Sequence, residues 1–211
     1  MKRLTFAAVI CDLDGTLLDS DEALVAPFVA LGVPAERVRF GALPGDECAR
    51  LGVPLASYLA GYDCNRAQPY PGVGEALARL PRWAVCSNKH GPVGRAELAR
   101  LGWHPETALF ADDFEGPKQL GPVLERLGLG PAEVVYVGDT EHDRRCAAAS
   151  EVAFAIAGWN PRATPQPGDL LLADPRDIPR LAGAGSRQGA DSEGAGGSAG
   201  SAGSAGSPSA R

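Results

Sequence analysis

Between residues 73 and 172, short apolar runs alternate with stretches of helical spacing, and this alternation constrains the fold more than anything else in the chain. The runs at 83–86, 108–111, 134–137, 152–155 and 170–172 have strand length, whereas 73–80, 93–101, 120–127 and 142–149 carry apolar residues spaced for helices. Strands separated by helices do not pair as hairpins, so each crossover lays the next strand parallel to the last. The crossover helices then cover both faces of the sheet, which is why its strands read as continuous apolar runs. The fold class read from this pattern is α/β, a parallel sheet with helices on both faces.

A further strand stands ahead of the series. The apolar run 4–10 leads into Cys11-Asp12-Leu13-Asp14-Gly15-Thr16, where a buried strand breaks into a glycine turn. After Ser20 the pattern turns helical, with Leu24, Val25, Phe28, Val29 and Leu31 in step, although Pro27 is expected to kink this helix or move its start. Two more short helices are read near 46–51 and 55–62, before the breaker cluster Pro69-Tyr70-Pro71-Gly72. The domain reading is a core of residues 1–18 and 71–182, a small helical insertion at 19–70, and a tail at 183–211. Gly, Ser and Ala dominate the tail, which has too little apolar surface to bury and is expected to be disordered.

The formal charge is -6, and the tail balances Arg187 and Arg211 against Asp191 and Glu193, so the negative charge belongs to the folded part. Nucleic acid and anionic membranes reward concentrated positive charge, and no Lys/Arg-rich run is present. Small soluble partners are expected instead. The apolar stretch after Met1-Lys2-Arg3 is short and is interrupted by Asp12 and Asp14, so neither a signal peptide nor a membrane span is read. The five cysteines have no close pairs or metal-type spacing, which suits a reducing cytoplasm. High Ala, Gly, Arg and Pro content points to a bacterial genome rich in GC. Monomer and homodimer stay equally open.

Three strands end in polar residues that folding alone does not require. The first gives Asp12 and Asp14, the run 83–86 gives Ser87-Asn88-Lys89, and the run 134–137 gives Gly138-Asp139-Thr140-Glu141-His142-Asp143. Lys118 stands between the last two, ahead of a helix. In a parallel sheet these ends share one edge, so four carboxylates, a hydroxyl and an ammonium converge there. Carboxylates crowded together raise one another's pKa unless a cation is present, which implies a divalent metal. Ligation by oxygen alone favours Mg2+ over Zn2+.

The ordered set Asp-x-Asp-Gly-Thr, strand-end Ser, Lys and Gly-Asp-x-x-x-Asp resembles the haloacid dehalogenase superfamily of phosphohydrolases over about residues 4–180. The resemblance implies a Rossmann-like sheet with a small helical cap inserted after the first strand. It implies that Asp12 is the nucleophile that becomes phosphorylated, and that Asp14 protonates the leaving oxygen and then deprotonates water. Ser87 and the backbone N–H of Asn88 would bind phosphoryl oxygens, and Lys118 would neutralise charge beside them. Asp12, the Asp14 carbonyl, Asp139 and Asp143 would hold Mg2+, the last directly or through water. Many relatives place proline after this lysine, where the chain has Gln119.

Asp14 favours phosphate chemistry over carbon–halogen cleavage. Between Arg3 and Asn88 there is no lysine or histidine, which disfavours branches that need those residues in the cap. Phosphoglycolate phosphatases and their broad-specificity relatives remain, with Pro69-Tyr70-Pro71-Gly72 and Ala157-Gly158-Trp159 among the similarities. The cap is shorter than theirs and is expected to admit larger or several phosphomonoesters of small metabolites. The alternatives are a non-catalytic regulator or interaction protein, and a phosphotransferase or mutase. Lys89, His90, His142, Arg144 and Arg145 read as solvated helix-end charges, Tyr58 and Tyr62 as cap-core aromatics, and the Thr16 hydroxyl as a partner of its own backbone.

Overall fold

The computed structural model describes residues 5–183. The tail read at 183–211 lies, from residue 184 on, outside the described residues.

Six parallel strands form the sheet in the order β5-β4-β1-β6-β7-β8. They are β1 (Ala8–Cys11), β4 (Trp83–Cys86), β5 (Thr107–Leu109), β6 (Val134–Gly138), β7 (Ala153–Ala157) and β8 (Leu170–Leu172). β1 lies in the middle, with Cys11 level with Val85 on one side and Val137 on the other. That register brings the residues following β1, β4 and β6 to the same edge.

Residue parity sorts the core. Val9, Cys11, Val85, Val135 and Val137 face α4 (Val73–Ala78) and α5 (Gly91–Arg100), while Ala8, Ile10, Ala84 and Tyr136 face α6 (Gly121–Leu127) and α7 (Glu141–Ala149). Both faces are therefore buried, as continuous apolar strands require.

Where element bounds depart from the sequence reading, local hydrogen bonds explain the shift. The first strand starts at Ala8 rather than in the run from residue 4, because Phe6 N–H reaches Leu181 O, near the end of the described residues. Val152 does not open β7, since its N–H closes the end of α7 on Ala147 O after Glu151 at φ 55°. β5 stops at Leu109 because Asp113 accepts from Phe110 N–H and turns the chain.

The insertion holds α1 (Asp21–Ala30), α2 (Pro44–Leu51) and α3 (Leu55–Gly61). Its connectors pair as a two-residue antiparallel neck, β2 (Leu18–Asp19) with β3 (Gln68–Pro69). Phe28, Val33, Cys48, Val53 and Tyr58 make a separate small core, with the Phe28 and Tyr58 rings 4.5 Å apart. α1 starts at Asp21 and runs through Pro27, so the proline does not move the helix start. The proline forfeits one helical hydrogen bond but is buried, and it packs against α3 at Gly61.

Candidate active site

The loop after β1 is shaped by close approaches. Gly15 has φ 76°, and a Cβ there would meet Asp139 Oδ2 at 2.3 Å, so both conformation and space demand glycine. Gly138 permits an equally close approach, since a Cβ at that position would lie 2.4 Å from the Asp143 side chain. Thr16 Oγ1 donates to Asp139 Oδ1 at 3.1 Å, which corrects the expectation that it serves its own backbone. Asn160 clamps the same carboxylate, donating from Nδ2 to Asp139 Oδ2 at 2.8 Å and to Gly15 O at 2.9 Å. Trp159 adds an indole N–H to Thr16 O at 2.9 Å. Asn160 escaped the sequence reading, although it follows the end of β7 and the strand-end rule that singled out Asp12 applies to it equally.

Asp12, Asp139 and Asp143 are buried together, each offering an oxygen within 4.8 Å of the others. Lys118 is the cation among them, with Nζ 3.0 Å from Asp12 Oδ2 and 2.5 Å from Asp143 Oδ1. Burial alone would lower the Lys118 pKa, but Asp12 and Asp143 push it above the usual lysine range. Burial raises Asp12 to about 7, with Lys118 opposing and the neighbouring acids adding to the rise. Asp139 is likewise pushed well up by burial and by Asp143 and Asp12. Burial also raises Asp143, but Lys118 and Thr140 more than reverse the effect and keep it below the usual carboxylate range.

Asp143 is fully engaged. Its Oδ1 accepts from Lys118 and lies 2.8 Å from the Tyr136 hydroxyl, and its Oδ2 accepts from Thr140 N–H at 2.9 Å and Thr140 Oγ1 at 2.5 Å. Asp12 differs, since its Oδ1 is buried without a partner in the fold. An orphaned carboxylate oxygen beside a second carboxylate forced toward protonation fits a hard divalent cation held by oxygen. In this arrangement Asp143 anchors Lys118.

Beyond β4, Ser87 is buried, and its Oγ accepts from Lys89 N–H at 3.3 Å. The Asn88 side chain is committed elsewhere: Oδ1 accepts from Lys118 N–H and Nδ2 donates to Gly41 O in the insertion, each at 2.8 Å. Its backbone N–H and the second Nδ2 hydrogen are left for an anion.

Lys89, read from the sequence as a solvated charge, is buried. Its Nζ lies 2.6 Å from Asp14 Oδ1 and 2.9 Å from Glu97 Oε2, and donates to the Tyr62 hydroxyl at 2.8 Å, which in turn donates to Glu97 Oε1 at 2.8 Å. Glu97 is fully buried in α5 and pushed up to about 7, first by burial, with Lys89 opposing. Its signal was present in the spacing Val93, Glu97, Leu101, an acid in line with apolar residues on one helix face.

The insertion roofs these groups and leaves a cleft enclosing about 780 Å³ including its mouth. Gly41 is tied to Asn88, and Phe40 lies under the Arg162 guanidinium, 3.9 Å from its ring centroid, while Arg162 also pairs with Asp21.

A family profile described as haloacid dehalogenase-like hydrolase matches residues 55–157. The chain is 30% identical over 189 residues to a phosphoglycolate phosphatase of Xanthomonas campestris pv. campestris, covering 74% of this chain and 84% of that protein. An N-acetylmuramic acid 6-phosphate phosphatase of Pseudomonas aeruginosa is 29% identical over 217 residues, covering 84% and 95%. Among solved structures, a chain from Lactobacillus plantarum shares the fold with a TM-score of 0.70 at 22% identity, over 84% of this chain and 99% of that one. A HAD-superfamily hydrolase of subfamily IA from Geobacter sulfurreducens has a TM-score of 0.62 at 27% identity, over 84% and 97%. The chain belongs to the haloacid dehalogenase-like hydrolases, among their phosphoglycolate phosphatase-like members.

Proposed function

We propose that this phosphatase is a Mg2+-dependent hydrolase that removes the phosphate from a small phosphorylated metabolite through a phosphorylated Asp12. The observation that carries the reading is the convergence of Asp12, Asp139 and Asp143 around Lys118, with one Asp12 oxygen buried and unpartnered. A carboxylate oxygen of Asp12 attacks phosphorus as the ester P–O bond breaks, and Asp14 passes a proton to the departing alkoxide. Water then attacks the phosphorylated Asp12, gives its proton to Asp14, and releases inorganic phosphate with Asp12 restored. Lys118 holds Asp12 and offsets charge on the transferring group, and Ser87 with the Asn88 backbone positions its oxygens. Asp12, Asp139 and the Asp14 carbonyl would hold Mg2+, with Asp143 behind Lys118. When bound, Mg2+ supplies positive charge against the carboxylates and phosphoryl oxygens.

The 19–70 insertion serves as the cap, closed on the site by Tyr62, Gly41 and Arg162. Five free cysteines support a reducing compartment, and no described helix is long and apolar enough to cross a membrane.

The test is phosphate release from p-nitrophenyl phosphate, with Mg2+ and after chelation, by the wild type and D12N. We expect turnover that needs the metal and falls by about 10³-fold or more in D12N. A wild type that is inert in Mg2+ would overturn the reading and favour an interaction protein that keeps the fold.

A further inference from the structure

We infer that the cleft is shaped for a phosphate ester whose alcohol is mainly hydrocarbon, aryl or branched alkyl, rather than a polyhydroxylated sugar. The inference rests on the phosphatase reading and names the class of ester that site takes.

The two sides of the cleft differ in chemistry. On the sheet side stand the charged groups Asp12, Asp14 and Lys118, which suit a phosphoryl group and its metal. Facing them are Leu24, Val38, Phe40 and Leu59 of the insertion, with Val93 of α5 beside them, all partly exposed to the cleft. An alcohol attached to the phosphorus must lie against this apolar wall.

Most polar groups around that wall are already engaged within the protein, although His90 Nδ1 and Arg162 Nε are buried without a partner. Glu47 accepts from Arg39 N–H at 2.7 Å and is paired with Arg50. The Tyr62 hydroxyl is taken by Lys89 and Glu97, Lys89 itself by Asp14 and Glu97, and Arg162 by Asp21 and the Phe40 ring. From the insertion, and among the described residues, this leaves the Tyr58 phenol and the exposed Arg39 guanidinium to meet a substrate. The insertion contains no lysine or histidine to add to them.

A pyranose placed here would surrender the water hydrogen bonds of several hydroxyls and recover few, whereas a hydrocarbon ring loses none and gains apolar contact.

The experiment compares kcat/KM for cyclohexylmethyl phosphate and glucose 6-phosphate, two esters of a primary alcohol on a six-membered ring that differ mainly in the sugar's hydroxyls and ring oxygen. We expect a preference of at least about 10-fold for cyclohexylmethyl phosphate, and a ratio that falls toward unity in L24Q and V38N. Because both esters are measured on one preparation, partial loss of folded variant leaves the ratio intact. Equal or better hydrolysis of glucose 6-phosphate overturns the inference and leaves the phosphatase reading standing, as does a ratio that neither variant changes. No turnover of these esters or of p-nitrophenyl phosphate in Mg2+ overturns both.

Discussion

Lys118 and Lys89 are each buried between two carboxylates at the same edge of the sheet, yet they are held by different parts of the molecule. Lys118 draws on Asp12 and Asp143, and its backbone N–H is fixed by Asn88, so its side-chain and backbone anchors all belong to the sheet unit. Lys89 pairs with Asp14 and Glu97 and also donates to Tyr62, which follows α3 of the insertion. The first ammonium is the one proposed as a fixed part of the phosphoryl site. The second couples the residue proposed to handle the proton to the seating of the cap. A buried ion pair is weak evidence for stability in itself, but removing one partner strands the other charge, so each lysine can be tested through what it leaves behind.

The largest effect is expected for K118M. With the ammonium gone, Asp12 and Asp143 face each other without it, and we expect kcat to fall by about 10³-fold. Folding should weaken by about 3–5 kcal/mol in urea titration, read from the transition midpoint. If K89M proves the more damaging to kcat, the division between a fixed chemical lysine and a coupling lysine is broken.

Next comes a pH effect peculiar to the Lys89 side. Burial, opposed by Lys89, lifts Glu97 from 4.5 to about 7. The folded protein therefore binds this proton more tightly than the unfolded chain. The contribution is fully present below pH 4.5 and is lost as pH rises through about 7, amounting to at most about 3 kcal/mol. Stability curves between pH 4 and 8 should decline less steeply in E97Q, which carries no titrating proton. An identical slope would remove Glu97 from the comparison.

A smaller effect separates proton delivery from phosphoryl binding. In K89M, Asp14 loses the group that orients it, and we expect kcat to fall by about 30-fold for alkyl esters, whose leaving group needs a proton. The loss should be markedly smaller for p-nitrophenyl phosphate, whose leaving group departs without one. Equal losses for both esters would place Lys89 with Lys118 as part of phosphoryl binding.

The sequence made one lysine legible and hid the other for a physical reason. Asp12, Ser87, Asp139 and Asp143 follow apolar strands, and parallel topology sends every such end to one edge, so their meeting could be read without coordinates. Lys118 belonged to the same ordered set. Lys89 also follows a strand, but whether a long side chain at a turn bends inward depends on its partners. Those partners are Glu97 on a helix face and Tyr62 in another folding unit. The Thr16 to Asp139 bond spans 123 positions and leaves no local trace. The neck of β2 and β3 is two residues per strand, too short for any periodicity to register. Pro27 was read by its backbone cost alone, whereas packing on α3 decides its place.

The smallest effect falls on the contact that joins the two regions. Y62F removes one hydroxyl that donates to Glu97 and accepts from Lys89, leaving the ring and its packing in place. We expect a loss of about 1 kcal/mol, or a factor of about 5, because Lys89 and Glu97 still hold each other directly. The hydroxyl bridges insertion and sheet, so the loss should appear mainly as a raised KM through a less firmly seated cap, with kcat for p-nitrophenyl phosphate nearly retained. Adding E97Q to Y62F should then cost less than the two changes measured separately, since E97Q removes the charge that strengthens the hydrogen bond and Y62F removes its donor. Strict additivity would mean that Tyr62 and Glu97 act independently. The cap would then be seated by Gly41 on Asn88 and Arg162 on Phe40 instead of through the lysine.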